Sequence, residues 1–162
     1  MKKQTNLIAL ALLLMLVLGC GLMNNIAKRS STDFNPYKGK LSELLQPEIS
    51  SSLVKFKLSG TVDAPSYTGA TEAKAFTYMQ EGSGVSVKVD GGLANYPSAA
   101  QANEKIADIA KKNKGTLTKK NGGQRFATPD GGTIAWTNGS LFCVVTSSFA
   151  KPASNFEEAA PF

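Results

Sequence analysis

The chain has 162 residues, with 18 Lys+Arg against 12 Asp+Glu for a net charge of +6, two cysteines and no histidine. The lack of histidine excludes Ser-His-Asp and Cys-His nucleophilic catalysis, His-ligated zinc and imidazole proton shuttles. The length suits one domain, and the mild positive excess favours anionic surfaces.

Lys2 and Lys3 give the chain a positive start, Leu7 to Leu18 form an unbroken apolar run, and Gly19-Cys20 closes it. The run is shorter than the ~20 residues of a bilayer-spanning helix and fits the h-region of a secretory signal. Val17-Leu18-Gly19-Cys20 resembles the lipobox of bacterial lipoproteins. That resemblance implies a signal peptide over residues 1–19 and a Cys20 that becomes the lipidated N-terminus, carrying diacylglyceryl and palmitate chains. Several chains on one residue make a stable membrane anchor where one chain does not. Gly21, in place of Asp, resembles lipoproteins sent to the outer membrane of bacteria with two membranes; with a single membrane the cell surface is implied. Cleavage removes Lys2 and Lys3 and takes the net charge from +6 to +4. With Cys20 lipidated, Cys143 has no disulfide partner in the chain, so the core alone must hold the fold.

Residues 21–40 show no helical or strand period and are rich in Asn, Ser, Lys and Gly. With Cys20 they read as a flexible tether over residues 20–40, spanning ~25 Å. Lys28 and Arg29 lie close to the headgroups. A single α+β domain is expected over residues 41–150. Leu41 to Pro47 reads as one helical turn stopped by proline. Leu53 to Leu58 alternates, with Val54, Phe56 and Leu58 on one side and Lys55 and Lys57 on the other, as in a half-buried strand. Residues 73–80 and 84–90 read as two more strands, the second through the period-two set Val85, Val87 and Val89. Asp90-Gly91-Gly92 suggests a bulge before Leu93-Ala94 resumes that strand.

Ser98 and Gln101 form a capping-box pattern after Pro97. Ala99, Ala102, Ile106, Ile109 and Ala110 then make one stripe at the 3.6-residue period, and Asn113-Lys114-Gly115 ends the helix. Hairpin strands follow at 116–119, 124–128, 133–137 and 140–148, separated by Asn121-Gly122-Gly123, Asp130-Gly131-Gly132 and Asn138-Gly139. A two-residue Asn138-Gly139 turn places Trp136 opposite Leu141 and Ile134 opposite Cys143, making Cys143 a core residue. The opposite side, with Ala135 against Phe142 and Thr133 against Val144, is apolar. It either contacts the helix or presents an interaction face at Phe142 and Val144. The fold class is therefore α+β, an antiparallel sheet of six or seven strands with one packed amphipathic helix. Residues 151–162 carry Pro152 and Pro161 without a period and read as a mobile tail, in which Phe156 and Phe162 flank Glu157-Glu158 as a short docking motif.

Few chemistries survive. Ser52-Leu53-Val54-Lys55 has the S-x-x-K spacing of penicillin-recognising serine enzymes but enters a strand and lacks the companion motifs. Each Asp/Asn-Gly-Gly triplet offers at most one carboxylate where calcium needs six to eight oxygens. No cofactor, metal ligand or catalytic residue is indicated. Lys105, Lys111, Lys112, Lys114, Lys119, Lys120 and Arg125 gather seven positive charges against Asp108 alone and form a candidate anion-binding patch. No aromatic is interleaved with them, so nucleic acid is not an expected partner. The leading expectation is a membrane-anchored, non-catalytic binding or assembly module of the envelope, with the membrane and an envelope protein as partners. The alternatives are an electrostatic binder of anionic polymer or headgroups through residues 105–125, and a His-free hydrolase using carboxylates such as Glu81, Asp90 and Asp130.

Overall fold

The computed structural model describes residues 37–52, 54–64, 66–82, 86–120 and 123–162. The signal-like segment, Cys20, most of the expected tether, Leu53, Val85 and the Asn121-Gly122 turn lie outside the described residues. The elements are α1 (Leu41–Leu44), β1 (Glu48–Ser50), β2 (Lys55–Asp63), β3 (Glu72–Glu81), β4 (Val87–Asn95), α2 (Ala99–Asn113), β5 (Thr116–Lys120), β6 (Gly123–Ala127), β7 (Thr133–Asn138), β8 (Leu141–Ser147) and α3 (Ala150–Ala159). The strands form one open antiparallel sheet in the order β1-β2-β3-β4-β8-β7-β6-β5. The α+β class is as expected, with eight strands rather than six or seven. The additional strand is β1, whose three residues are too few to show a period. Among the described residues no helix is long and apolar enough to cross a membrane.

Strand alternation divides the side chains between two faces, each with its own core. On the first, Phe56, Phe76, Tyr78, Val89, Leu93, Ile134, Trp136, Cys143 and Val145 pack against Leu41 and Leu44 of α1 and Ala153 and Phe156 of α3. On the second, Ala94, Phe126, Ala135 and Phe142 pack against Ala102 and Ile106 of α2. Ala stripes let α2 lie close to the strands. Ser98 caps the helix by accepting from the Gln101 backbone N–H at 3.3 Å, and Lys114 closes it in the left-handed conformation at φ 51°.

Four expectations are corrected. The C-terminal segment is not a mobile tail. Residues 150–159 are helical, and Phe156 and Phe162 are buried in the first core. Phe156 lies 5.3 Å from Phe56, 5.5 Å from Phe76 and 5.1 Å from Tyr78, centroid to centroid. Trp136 stacks on Phe162 at 6.3 Å and donates its indole N–H to the Phe162 carbonyl at 2.7 Å. The sheet face would otherwise leave this aromatic group in water, and the helix covers it. At the other end, Tyr37 belongs to the domain and not to the tether: its N–H donates to Ser140 Oγ at 2.7 Å, and its carbonyl accepts from Asn95 Nδ2 at 2.7 Å.

The bulge expected at Asp90-Gly91-Gly92 is absent from that stretch, where β4 runs in continuous register with β3 and β8. Its glycines serve close approach: a Cβ at Gly91 would strike the Phe76 ring, and one at Gly92 the Tyr67 hydroxyl. The irregularity falls instead in β2, between Leu58 and Gly60. Finally, the β7–β8 turn is Gly139-Ser140, so Asn138 pairs with Leu141 and Trp136 with Cys143. Gly139 takes φ 58°, which glycine adopts at no steric cost at the first central position of a tight hairpin. Ser140 explains the choice. It is buried, its hydroxyl donates to Asn95 Oδ1 at 2.8 Å, and its carbonyl accepts from the Tyr96 N–H at 2.9 Å. The two-residue shift in register leaves every side chain on the expected face.

Candidate functional site

The sheet separates the seven basic residues. Arg125 pairs with Trp136 in the β6–β7 ladder and so points to the α3 side, and Lys120, at the end of β5, reaches the same side. There Arg125 Nε lies 2.9 and 3.0 Å from the two Glu157 oxygens, Arg125 Nη2 is 3.0 Å from Oε2, and Lys120 Nζ is 2.8 Å from Oε1. Glu157 is only 6% exposed. Burial pushes its carboxyl up, but hydrogen bonds from Arg125 and Lys120 outweigh that and hold it below the ordinary carboxylate value. Lys120 and Arg125 therefore bind the chain's own carboxylate and leave the anion-binding patch. On the other side, Lys105 of α2 lies over the Tyr67 ring, its Nζ 5.9 Å from the centroid. Lys111, Lys112, Lys114 and Lys119 remain exposed, and no ion pair engages them among the described residues.

The expected interaction face is likewise occupied. Phe142 is fully buried beneath α2 and packs at 6.0 Å against Tyr67, while Val144 is half-buried beside that cluster. Of the two options open from the sequence, contact with the helix is the one realised at Phe142. Cys143, on the opposite face, is buried. Burial, with the Glu157 charge adding to it, pushes its thiol well above the ordinary value, which suits packing and not nucleophilic chemistry.

The three candidate carboxylates sit on different elements. Asp90 sits within β4, accepting from the Thr77 hydroxyl at 2.6 Å and pairing with Lys88 at 2.9 Å. Asp130 accepts from the Thr128 hydroxyl and the Gly132 N–H and shapes the β6–β7 turn, which holds its carboxyl below the ordinary value. Glu81 ends β3. Among the described residues no three Cys, Asp or Glu side chains gather as a metal site would need.

A different feature of the α2 side has the form of a site. The chain between β2 and β3 crosses the second face, where Tyr67 covers Gly92 and the Thr68-Gly69 turn faces the first half of α2. Between them lies an open pocket of about 280 Å³, lined by Thr68, Gly69, Tyr96, Gln101, Glu104, Lys105 and Asp108. Gln101, Glu104 and Asp108 follow at helical spacing on one side of α2, so the helix supplies an amide and two carboxylates, with Lys105 adding a cation. Tyr96 forms the wall beneath. It is 3% exposed, its Cε1 lies 3.9 Å from where a Cβ would stand at Gly69, and its buried hydroxyl meets no hydrogen-bond partner among the described residues. Burial also pushes this phenol, and that of Tyr67, above the ordinary value, Tyr67 to about 12. Both stay neutral and able to donate. The pocket thus offers donors and acceptors of both charges, with the Tyr96 side chain as one wall.

Of these lining residues the sequence singles out only Lys105, as a member of the basic cluster, and Gln101 reads there only as a helix cap. The polar side of α2 is legible from its period, but the loop it faces is decided by the crossing of the chain from β2 to β3. No protein-family model, curated protein or solved structure matches the chain.

Proposed function

We propose that this protein is a membrane-anchored, non-catalytic binding module of a bacterial envelope, held by lipid on Cys20, and that the pocket between the Thr68-Gly69 turn and α2 receives a polar group of its ligand. One observation carries the choice of pocket: the buried Tyr96 hydroxyl has no partner among the described residues, whereas buried polar groups in folded proteins almost always have one. A ligand that draws the Tyr96 side chain toward the pocket and hydrogen-bonds its hydroxyl satisfies a group left unpaired among the described residues. The lining of Glu104 and Asp108 beside Lys105 and Gln101 favours ligands bearing both an amine or hydroxyl and an acceptor, the chemistry of amino sugars and short peptides.

The test is chemical-shift mapping of the full chain in detergent micelles against amino sugars and short peptides with free amino groups. Perturbations centred on Thr68, Gly69, Gln101 and Asp108, and lost in Tyr96→Phe, support the reading. Saturating ligand series that leave these residues unmoved reject it. A second reading, binding of anionic polymer or headgroups, rests on the unpaired Lys111, Lys112, Lys114 and Lys119. It requires retention on anionic vesicles that falls with salt and disappears when Lys111, Lys112 and Lys114 are changed to Glu. The anchor has its own check: palmitate label must enter the wild type and be absent from Cys20→Ser.

A further inference from the structure

We propose that the outer edge of β2 at Ser59–Asp63 pairs with the same edge of a second copy of this chain, giving a two-fold dimer through an antiparallel strand junction. This goes beyond the pocket and does not depend on it.

Among the described residues the edge is open because β1 is short. Their pairing runs from Glu48↔Lys57 to Ser50↔Lys55 and ends with the Leu58 N–H donating to the Pro47 carbonyl at 2.8 Å. From Ser59 to Asp63 every residue is exposed, and among the described residues no strand lies on that side. The direction of the free backbone groups follows from the ladder on the inner side. The Ala64 N–H donates to the Ala73 carbonyl, so by antiparallel alternation Gly60 and Val62 address β3 while Thr61 and Asp63 point their N–H and C=O groups outward.

The two edges of the sheet are treated differently. β5 carries Lys119 and Lys120, the charged blunting that keeps an edge from pairing. The free stretch of β2 has no lysine. Its one charge, Asp63, is engaged by Lys74 of β3, and Val62 stands 66% exposed on the α2 side of the sheet, which α2 leaves uncovered there. Beside Val62 is a shallow depression of about 320 Å³ lined by Gly60, Ala75, Thr77 and Asp90.

The stretch is complementary to itself. A two-fold axis at Thr61 lets the two Thr61 residues exchange N–H···O bonds and sets Val62 of each copy opposite Gly60 of the other, on the same face. A Cβ built at Gly60 meets nothing within 4 Å, so the space for the incoming valine is already present. Asp63 then faces Ser59, and no like charges meet. Because the operation is two-fold and the far edge is blunted, the junction closes as a dimer and does not extend into a fibre. Five residues a side make a small interface, so the dimer is weak, with Kd about micromolar or higher.

The test is sedimentation equilibrium of the full chain in density-matched micelles from about 1 µM to about 1 mM, with Thr61→Pro and Val62→Lys. Proline at 61 removes an N–H that has no partner among the described residues, and Val62 is exposed, so both variants are expected to keep the fold, checked by circular dichroism. The expected result is a concentration-dependent doubling of mass in the wild type and association weakened about tenfold or more in each variant. A wild type that stays monomeric throughout, or a dimer undiminished by Val62→Lys, overturns the proposal. Should Thr61→Pro fail to fold, Val62→Lys decides alone.

Discussion

Phe156 and Phe149 lie seven residues apart at the C-terminal end of the chain, and replacing each by alanine should have opposite consequences. Phe156 is fully buried with three aromatic rings around it at 5.1–5.5 Å, whereas Phe149, at the helix N-cap, is 63% exposed. Phe156→Ala removes roughly 100 Å² of ring from the core, about 2.5 kcal/mol at ~25 cal/mol per Å². The cavity left among rings that cannot collapse adds about 1–2 kcal/mol, for a total near 4 kcal/mol, within the usual range for buried Phe→Ala changes. Phe149→Ala should stay within about 0.5 kcal/mol of wild type. Urea unfolding followed by Trp136 fluorescence reads both, because the chain's single Trp is stacked and hydrogen-bonded on Phe162 and senses the docked segment directly. With a slope of about 2 kcal/mol per M, Phe156→Ala moves the midpoint down by about 2 M. Equal and small shifts for the two variants would mean that α3 contributes no core, and the docking of the C-terminal segment onto the sheet would be refuted.

Glu157→Gln should cost about 2–3 kcal/mol, since it strips charge from a buried carboxylate that four hydrogen bonds hold to Arg125 and Lys120. Because the folded carboxyl titrates below its unfolded value of about 4.3, its contribution is complete above that pH and is lost as pH falls through the folded value. The wild-type advantage over Glu157→Gln in urea midpoint should therefore shrink on acidification below about pH 4. Tyr96→Phe removes a buried hydroxyl without a partner among the described residues and should stabilise the free protein by about 1 kcal/mol or more, read by thermal unfolding; a loss of stability would mean the hydroxyl is satisfied. Lys114→Gly should stabilise by about 1 kcal/mol, because Lys114 holds the left-handed conformation that glycine adopts freely; an unchanged melting temperature would contradict it.

Local signals are dependable along this chain. The capping Ser98, the Ala/Ile stripe of α2, the alternation around Phe56 and Val89 and the turn at Gly139 are legible because each depends on residues a few positions apart, where backbone geometry sets the pattern. β1 is not legible, since three residues carry no period. The glycines at 91 and 92 suggest a bulge because the sequence does not reveal that Phe76 and Tyr67 lie over them. The candidate site is less legible still. Glu104 and Asp108 are ordinary residues on a wet helix face until the Thr68-Gly69 turn is set opposite them.

The sequence by itself determined the class of fold, the faces of its strands and helix, and the exclusion of histidine chemistry. Period, caps and composition need no knowledge of the rest of the molecule. The tertiary structure alone decided what the aperiodic C-terminal segment does. Alanine, proline, two phenylalanines and two glutamates form no pattern that distinguishes a frayed end from a docked helix, because a short helix is marginal without a surface to cover. Its stability resides in the aromatic face of the sheet and in Arg125 and Lys120, which are brought to Glu157 from more than thirty residues away along the chain. The same long-range contact turned two members of a basic cluster into structural partners. Charge read along the chain shows where cations are, and only packing shows which of them are still free.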